Sequence, residues 1–312
     1  MFGDAALRAP DDLAVIWLTG ASGYVGAHVL RRLAERDASV RCLVLPDDPV
    51  SPAATARVEL VRGDLTRLES FARDGGGIET IVHVASLMLP NAAARIRAVN
   101  VDGTANLLRF AAEWRVKRFV YISAVSAVYE TRNVYGLSKA QAERMVIESG
   151  LDYTILRSTM VYGRGGGLHF QKLVSFIDRA PGVLPILGAG RARLQPVWID
   201  DLVTAIDLVL SCPRAIGKTY NVSGATVVTF DGLVDRIIAA AGVRRVKLHI
   251  PLILCRVAAR LLSLLTEQSV LSPDALRGLN QDATIDYRPF QEECGYSPIS
   301  LDEGLARVFA HP

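Results

Sequence analysis

The chain has 312 residues, half of them hydrophobic, which is enough for one large domain with a smaller appended lobe. Its formal net charge of +3 is small for this length, and no basic run is interleaved with aromatics, so the composition argues against nucleic-acid binding. The beginning lacks a basic stretch followed by an apolar one, and the apolar stretch 250–265 is too short to span a bilayer. We therefore expect a cytoplasmic protein without a membrane partner.

The four cysteines show no pattern of a metal or redox site. None belongs to a C-x-x-C pair, and none lies near a histidine at the spacing of metal ligands. We interpret them as reduced structural thiols and predict no bound metal. They are Cys42, Cys212, Cys255 and Cys294.

Short apolar runs alternate with helical patterns through the first half of the chain. Apolar strands separated by helices pair in parallel through right-handed crossovers, with helices on both faces of the sheet. The sequence therefore predicts an α/β fold with a doubly wound parallel Rossmann sheet. The expected strands cover 13–20, 39–45, 58–65, 80–86, 116–124 and 151–158, and the expected helices cover 26–36, 100–114 and 135–149.

After about Gly163 the pattern changes, because glycine and proline become frequent and helices near 201–211 and 229–241 alternate with short extended pieces. We expect this part to form a smaller C-terminal substrate lobe whose loops close over the carboxyl ends of the strands. The expected division gives the cofactor domain 12–163, with returning segments near 195–224, and gives the substrate lobe 164–194 and 225–312.

Three glycines follow the first strand and open the first helix in the sequence TGASGYVG, residues 19–26. Gly20 permits a tight turn, Gly23 lets the backbone approach a pyrophosphate, and Gly26 lets the helix pack closely on the strand. The helix N-terminus then presents free N–H groups and its positive dipole end to the phosphates. The strand–turn–helix context favours a dinucleotide site over a purely structural glycine turn.

The end of the second strand, RCLVLPDDP, bears on the choice between NAD and NADP. An acidic residue there would hold the adenosine ribose, and an arginine would suit a 2′-phosphate. Val44 and Leu45 occupy the two expected positions and can do neither, but Asp47 and Asp48 follow and could reach back. The alternative is that both aspartates are solvated turn residues after Pro46. We expect NAD rather than NADP.

Eight short segments in a fixed order carry more information together than any one of them does alone. They are TGASGYVG (19–26), GDLT (63–66), VHVAS (82–86), VNVDGTANLL (99–108), YGLSK (135–139), LRSTMVYGRG (156–165), QPVWIDDLVTAI (195–206) and YNVSG (220–224). In this order they resemble the short-chain dehydrogenase/reductase superfamily, in the extended or atypical branch that includes nucleotide-sugar epimerases and dehydratases. The resemblance runs nearly from end to end of the chain.

The resemblance implies an NAD(P) site whose residues come from four of these segments. GDLT resembles the turn that meets adenine, and VHVAS resembles the strand end beside the adenosine ribose. YGLSK resembles the family's Y-x-x-x-K pair, in which the lysine also holds the nicotinamide ribose. The implied cofactor residues are Gly20, Ser22, Gly23, Tyr24, Val25, Gly26, Asp64, Leu65, Val84, Ala85, Tyr135 and Lys139.

Tyr135 and Lys139 carry the chemical argument, because residues four apart lie on one face of a helix. A phenol has a reference pKa of about 10, and a nearby ammonium together with a cationic nicotinamide would lower that pKa. Tyr135 could then take a proton from a substrate hydroxyl as hydride leaves for the nicotinamide, or return one in a reduction. Taken alone, a Y-x-x-x-K pair is common and is usually a surface tyrosine and lysine, but its position after the fifth strand of a dinucleotide fold favours the catalytic interpretation.

The third catalytic member and the substrate loop depart from the family pattern. The family places a Ser or Thr just past the fifth strand, but here that position falls on Ala124 or Val125, with Ser123 and Ser126 on either side. Ser123 is the first choice and Ser126 the second, and both could instead be turn-capping serines. Only eleven residues separate Ser123 from Tyr135, so most of the family's sugar-contacting loop is missing. This compact form resembles atypical members, some of which bind the cofactor without turning over a substrate.

Arg164, Arg191 and Arg193 lie in glycine-rich loops and would suit a phosphate-bearing substrate, although a solvated charged loop is the simpler interpretation. We expect hydride transfer to or from a carbonyl or secondary alcohol. The substrate is a nucleotide sugar, in an epimerase or dehydratase, or equally a smaller ketone or alcohol. A cofactor-binding sensor or assembly protein without catalysis is the alternative. The resemblance also implies a homodimer.

Overall fold

The computed structural model of the protein describes residues 15–48, 57–254 and 281–310. A seven-stranded sheet runs through its centre, and every neighbouring pair of strands in it is parallel. The strands are β1 (Val15–Thr19), β2 (Val40–Val44), β3 (Val58–Arg62), β4 (Ile78–His83), β5 (Arg118–Ala124), β6 (Asp152–Ser158) and, returning from the second half of the chain, β11 (Lys218–Val222). Their order is β3-β2-β1-β4-β5-β6-β11. The direction of winding therefore reverses between β1 and β4, where open α/β sheets bind ligands beyond the carboxyl ends of their strands.

Helices cover both faces of this sheet. They are α1 (Tyr24–Glu35), α2 (Ala93–Arg97), α3 (Gly103–Glu113), α4 (Val134–Glu148) and α6 (Ile199–Ser211), and a π-helical turn, Ala98–Asp102, joins α2 to α3. Leu18 packs with α1 and α6 on one face, and Trp17 packs with Phe110 of α3 on the other. Both strand residues are fully buried, because successive side chains of a strand point to opposite faces.

The smaller C-terminal region consists of short strand pairs and helices that adjoin the carboxyl edge of the sheet. β7 pairs in parallel with β10, β8 pairs in parallel with β13, and β9 pairs antiparallel with β12. These strands are β7 (Val161–Tyr162), β8 (Val183–Leu187), β9 (Arg193–Leu194), β10 (Val197–Trp198), β12 (Val228–Thr229) and β13 (Val246–Ile250). The helices are α5 (Leu168–Arg179), α7 (Phe230–Ala240), α8 (Arg288–Cys294) and α9 (Leu301–Phe309).

The predicted fold class is confirmed: the protein is an α/β fold with a doubly wound parallel sheet and a smaller C-terminal region. The proposed domain boundaries, at 163/164, 194/195 and 224/225, remain a prediction. Most of the apolar stretch 250–265 lies outside the described residues. Within the described ranges, no helix is long and apolar enough to cross a membrane.

The interpretation of all four cysteines as reduced thiols is wrong for two of them. Cys212 and Cys294 form a disulfide that joins the end of α6 to the end of α8, with their Cα atoms 6.1 Å apart. They are separated by 82 positions in sequence, so no local spacing could reveal the pair. Cys42 is free, and burial raises its pKa to about 12, as suits a structural thiol. Cys255 lies outside the described residues.

Candidate active site

The glycine turn lies against the end of β4 and leaves no room for side chains. Gly20 adopts a φ of +77°, and a Cβ there would lie 2.7 Å from the backbone nitrogen of Ala85. A Cβ on Gly26 would overlap the carbonyl oxygen of Gly20, so α1 packs directly on the turn. The helix begins at Tyr24 after Gly23, and no side chain caps it. Its first N–H groups are therefore open to an anion, and the cradle fits a pyrophosphate.

Tyr24 joins the glycine turn to the smaller region. Its ring fills the space beside Gly163 and Gly166, where any Cβ would overlap it. Its hydroxyl lies 3.5 Å from the carbonyl oxygen of Arg164, and burial raises its pKa to about 12. Val25 is partly buried against the core. The side chains of these two predicted cofactor residues thus serve packing, which leaves their backbone N–H groups for a phosphate.

Asp48 ties the end of β2 to the glycine turn. Its Oδ2 accepts a 2.6 Å hydrogen bond from the hydroxyl of Ser22. Arg62 fixes the intervening turn by donating to the carbonyl oxygens of Leu45, Pro46 and Asp48 at 3.1, 3.3 and 2.7 Å. Of the two aspartates that the sequence left open, the second therefore reaches back to the turn. Its carboxylate stands near the place where this fold receives an adenosine ribose.

Asp64 and Leu65 form the turn after β3, and their contacts are local. Oδ1 of Asp64 accepts 2.9 Å hydrogen bonds from both the backbone N–H and the hydroxyl of Thr66. Leu65 is buried, and its carbonyl oxygen accepts a 2.8 Å hydrogen bond from Asn106. Val84, at the end of β4, is partly buried in the core. These contacts fix the positions of Asp64, Leu65 and Val84. That these residues contact the adenosine of the cofactor remains a prediction.

A buried chain of hydrogen bonds links β1, β4 and α3 beneath the glycine turn. The N–H of Ala85 donates to Oγ1 of Thr19 at 3.2 Å, and this oxygen lies 2.7 Å from Nδ1 of His83. Nε2 of His83 lies 3.0 Å from Oγ1 of Thr104, whose own proton goes to the carbonyl of Asn100 at 2.7 Å. Since a threonine hydroxyl has one proton, His83 must donate from Nε2 and accept at Nδ1. Burial lowers the pKa of His83 to about 3, so the ring stays neutral.

Asn100, in the π-helical turn, holds the loop after β4. Its Oδ1 accepts a 2.7 Å hydrogen bond from the N–H of Leu87, and its Nδ2 donates to the carbonyl oxygen of the same residue at 3.0 Å. Nδ2 also lies 3.0 Å from Oγ of Ser138, whose hydroxyl donates to the carbonyl of Tyr135 at 2.7 Å. One buried amide thus fixes the loop carrying Ser86 relative to the helix carrying Tyr135.

Tyr135 lies in the first turn of α4, and its hydroxyl faces the end of β4. Asn133 caps the helix by accepting a 2.8 Å hydrogen bond from the N–H of Gly136. Ser86 donates to the hydroxyl oxygen of Tyr135 at 3.5 Å. Burial raises the pKa of Tyr135, and the hydrogen bond from Ser86 opposes that rise. The groups of the protein alone therefore do not lower the pKa of Tyr135 as the sequence led us to expect.

Lys139 lies one helical turn further along and is completely enclosed, with 1% of its surface exposed. Its Nζ donates to the carbonyl oxygen of Ile122 at 2.6 Å and lies 4.2 Å from the centre of the Tyr121 ring. Burial lowers the pKa of Lys139 to about 7, and the carboxylate of Glu143 acts in the opposite direction. The charge of this lysine therefore changes close to neutral pH.

Ser123 and Ser126, the two candidates for the third catalytic member, have different surroundings. Ser123 is 2% exposed and donates to Oε1 of Glu143 at 2.5 Å. Arg157 of β6 holds the same carboxylate through bonds of 2.6 to 3.2 Å. Oγ of Ser126 is buried and has no hydrogen-bond partner among the described residues. The serine that reaches Tyr135 comes instead from the loop after β4.

Two of the three loop arginines suggested for a phosphate have partners inside the protein. Arg164 donates to two carbonyl oxygens at the end of α9, at 3.2 and 2.5 Å. Arg193 pairs with Asp282 at 2.8 Å. Arg191 is exposed. The structure therefore does not bring these three guanidinium groups together as one anion site.

The loop after Ser86 is apolar and faces the smaller region. Its sequence is Leu-Met-Leu-Pro over 87–90, and Leu89 is 37% exposed. Sδ of Met88 lies 3.5 Å from Nε2 of His169 on α5. Burial lowers the pKa of His169, so this ring is neutral at pH values near 7. A largely apolar rim, with the charge of Lys172 near its His169 end, thus follows the serine that contacts the hydroxyl of Tyr135.

Sequence reasoning did not assign a role to Ser86, His83, Asn100 or Glu143. The first three lie within segments that carried the family resemblance, but their contacts form only when β4, α3 and α4 meet. Glu143 had a detectable signal, because it follows Tyr135 and Lys139 at successive intervals of four and therefore shares their helix face.

The glycine turn, the parallel sheet and the tyrosine–lysine helix at its carboxyl edge define a dinucleotide-binding Rossmann protein of the short-chain dehydrogenase/reductase type. The chain belongs to the NAD dependent epimerase/dehydratase family, whose family model matches residues 16–223. This match confirms the resemblance inferred from the ordered segments.

Three known proteins illustrate the range of relatives. The chain is 27% identical over 272 residues to a 3-beta-hydroxysteroid dehydrogenase of Mycolicibacterium neoaurum. The matched region covers 77% of this chain and 73% of that protein. It is 32% identical over 205 residues to a ceramide reductase of Caulobacter vibrioides, covering 65% and 62%. A dTDP-glucose 4,6-dehydratase of Streptomyces venezuelae, solved with NAD bound, superposes with a TM-score of 0.76 and 23% identity, over 95% of this chain and 96% of that one. The structural likeness shows a common fold.

Proposed function

We propose that the protein is an NAD-dependent oxidoreductase that transfers hydride between the nicotinamide and a carbonyl or secondary alcohol. The observation that carries this proposal is the position of the Tyr135 hydroxyl, 3.5 Å from Ser86 and beside the loop against which the glycine turn packs. The family's NAD dependence and the fit of the uncapped α1 N-terminus to a pyrophosphate support it.

Bound NAD would supply the hydride acceptor, or in its reduced form the hydride donor. The phenol oxygen of Tyr135 accepts the proton of the substrate hydroxyl in oxidation, and its O–H returns that proton to the carbonyl oxygen in reduction. Lys139, anchored on the carbonyl of Ile122, lies one helical turn from Tyr135, and a positive charge there would favour the phenolate.

Asp48 supports NAD over NADP as the cofactor. A carboxylate at the end of β2 would accept hydrogen bonds from the adenosine ribose and repel a 2′-phosphate. The hydroxyl of Ser22 holds this carboxylate against the glycine turn.

For the substrate we infer an apolar secondary alcohol or ketone. The rim beside Tyr135 includes Met88 and Leu89, while Arg164 and Arg193 are engaged by the protein itself. The short segment before Tyr135 also leaves out most of the sugar-contacting loop expected from the family. Two relatives, a hydroxysteroid dehydrogenase and a ceramide reductase, are named for apolar substrates.

Epimerase or dehydratase action on a nucleotide sugar is the second candidate, favoured by the match to the family model over residues 16–223. The two candidates differ in the fate of the cofactor. An epimerase or dehydratase restores NAD within each cycle, whereas a dehydrogenase accumulates NADH.

The test begins with tryptophan-fluorescence titrations of NAD and NADP. The protein is then incubated with NAD and, separately, 2-octanol, dehydroepiandrosterone and UDP-glucose, while NADH absorbance and sugar products are followed. We expect NADH with an apolar alcohol, and we expect Tyr135→Phe to lower turnover by about 100-fold or more with little change in NAD affinity. Turnover near wild type in that variant would refute the role of Tyr135, and conversion of UDP-glucose without net NADH would favour the second candidate. NAD binding without turnover of any probe would favour a cofactor-binding protein without catalysis.

A further inference from the structure

The hydroxyl that the family supplies just after β5 is absent from that place in this chain. The position falls on Ala124 or Val125. Ser123 donates its proton to a buried carboxylate, and Oγ of Ser126 is enclosed without a partner among the described residues. A substrate oxygen bound at Tyr135 would therefore lack its second donor, if no other element provided one.

Ser86 is such a donor, and its position is fixed from both sides. It is exposed, and its Oγ lies 3.5 Å from the hydroxyl of Tyr135. The N–H of the preceding Ala85 is bonded to Thr19 inside the sheet. Both backbone groups of the following Leu87 are bonded to one buried amide, at 2.7 and 3.0 Å. A side chain held in this way is ready for binding before the substrate arrives.

The loop that carries Ser86 also touches the cofactor turn. A Cβ on Gly20 would lie 2.7 Å from the nitrogen and 2.8 Å from the Cα of Ala85, so the turn and the loop are in direct backbone contact. Ser86 is the next residue. Its hydroxyl is therefore one residue from the backbone contact with the predicted pyrophosphate cradle and 3.5 Å from the hydroxyl of Tyr135. A substrate oxygen at Tyr135 would be within its reach.

We propose that Ser86 is a catalytic residue whose hydroxyl, together with that of Tyr135, binds the reacting oxygen of the substrate. This inference rests on the proposed function. In alcohol oxidation the substrate O–H bond breaks and its proton goes to the phenolate oxygen of Tyr135. The C–H bond breaks, its electron pair leaves as hydride to NAD, which is reduced, and the carbon–oxygen double bond forms. Ser86 donates to the substrate oxygen throughout and is itself unchanged.

The ionisation of Tyr135 offers a direct readout of this contact. The ionisable group that interacts directly with Tyr135 is Tyr121 of β5. Lys139, Glu143 and His83, on α4 and β4, surround that Tyr121 ring. Among the described residues, Ser86 donates a hydrogen bond to the phenol oxygen of Tyr135. Because that bond stabilises the phenolate, removing it is expected to raise the pKa of Tyr135.

The test is a pH titration of the cofactor-free protein carrying 3-fluorotyrosine at position 135, read by fluorine NMR. Ser86→Ala is expected to raise the titration midpoint by about half to one pH unit, the scale of one net hydrogen bond. Ser86→Thr keeps the hydroxyl and is expected to restore the original midpoint. Ser211→Ala removes an exposed serine at the far end of α6 and is the matched control, with no expected shift.

Kinetics with NAD and 2-octanol or dehydroepiandrosterone give the second arm. Ser86→Ala is expected to lower kcat/KM by about 10- to 100-fold and to leave the Kd of NAD unchanged. The pH profile of kcat/KM should shift to higher pH by the same amount as the titration midpoint of Tyr135. An unshifted midpoint in Ser86→Ala, or a shift in Ser126→Ala instead, overturns the assignment. A shifted midpoint in a protein that turns over neither probe would overturn the proposed function while supporting the Ser86–Tyr135 contact.

Discussion

The carboxylate of Asp48 accepts a 2.6 Å hydrogen bond from Ser22, a residue 26 positions earlier in the chain. This bond joins the end of β2 to the glycine turn of β1 and α1. It gives the pocket an acidic group at a place where the strand itself ends in two aliphatic residues, Val44 and Leu45.

Asp48→Asn tests the cofactor preference. We expect the Kd of NAD to rise about tenfold and the preference over NADP to narrow, because the amide loses a charge-assisted hydrogen bond and no longer repels a 2′-phosphate. Fluorescence titration with both dinucleotides measures this. Asp47→Asn, at the exposed neighbouring position, is the matched control. An unchanged ratio of the two affinities in Asp48→Asn would mean that Asp48 serves the turn and not the ribose.

Gly26→Ala tests the close packing of α1 on the turn. The added Cβ would overlap the carbonyl oxygen of Gly20. We therefore expect the free energy of unfolding to fall by about 1–3 kcal/mol and NAD binding to become too weak to measure. Gly76→Ala is the control, because a Cβ there meets nothing within 4 Å. Urea unfolding and NAD titration on both variants measure the effects. A Gly26→Ala protein that binds NAD normally would contradict the proposed cradle.

His83→Gln tests the neutral histidine. The folded pKa of about 3 lies below the ordinary histidine value of 6.5, so between these pH values the unfolded chain binds a proton that the folded chain does not. Stability should therefore fall on acidification through this window, by up to about 1.4 kcal/mol per pH unit from this group. Glutamine can keep one donor and one acceptor but does not titrate. Urea unfolding from neutral to acidic pH should show a shallower decline in the variant, and parallel curves would contradict a buried neutral His83.

Lys139→Met tests the enclosed ammonium through the same pH dependence of stability, but over a higher pH range. The folded pKa of about 7 lies below the ordinary lysine value of 10.5, so the unfolded chain binds the extra proton between these pH values. Wild-type stability should therefore rise with pH across this window relative to the variant. Loss of the hydrogen bond to Ile122 adds only a constant offset between the two curves. Equal slopes would show that Lys139 keeps its proton in the folded protein.

The glycine turn and the strand order could be predicted because their signals are local. Gly20, Gly23 and Gly26 are spaced for one turn, and apolar runs separated by helices leave few topologies open. The Ser86–Tyr135 contact could not be predicted, because it depends on where the loop after β4 lies against α4. The role of Ser123 could not be predicted either: it is next to the expected position in sequence, but in the folded chain its hydroxyl donates to Glu143.

The contact between Tyr24 and Gly166 has a consequence for how such chains can vary. The ring of Tyr24 occupies the volume that any side chain at position 166 would need. A substitution at either position alone therefore leaves a clash or a gap, whereas a small residue at 24 paired with a larger one at 166 conserves volume. We expect the side-chain volumes at these two positions to co-vary among relatives, with a larger residue at one accompanied by a smaller residue at the other. This co-variation would link the dinucleotide cradle to the smaller region.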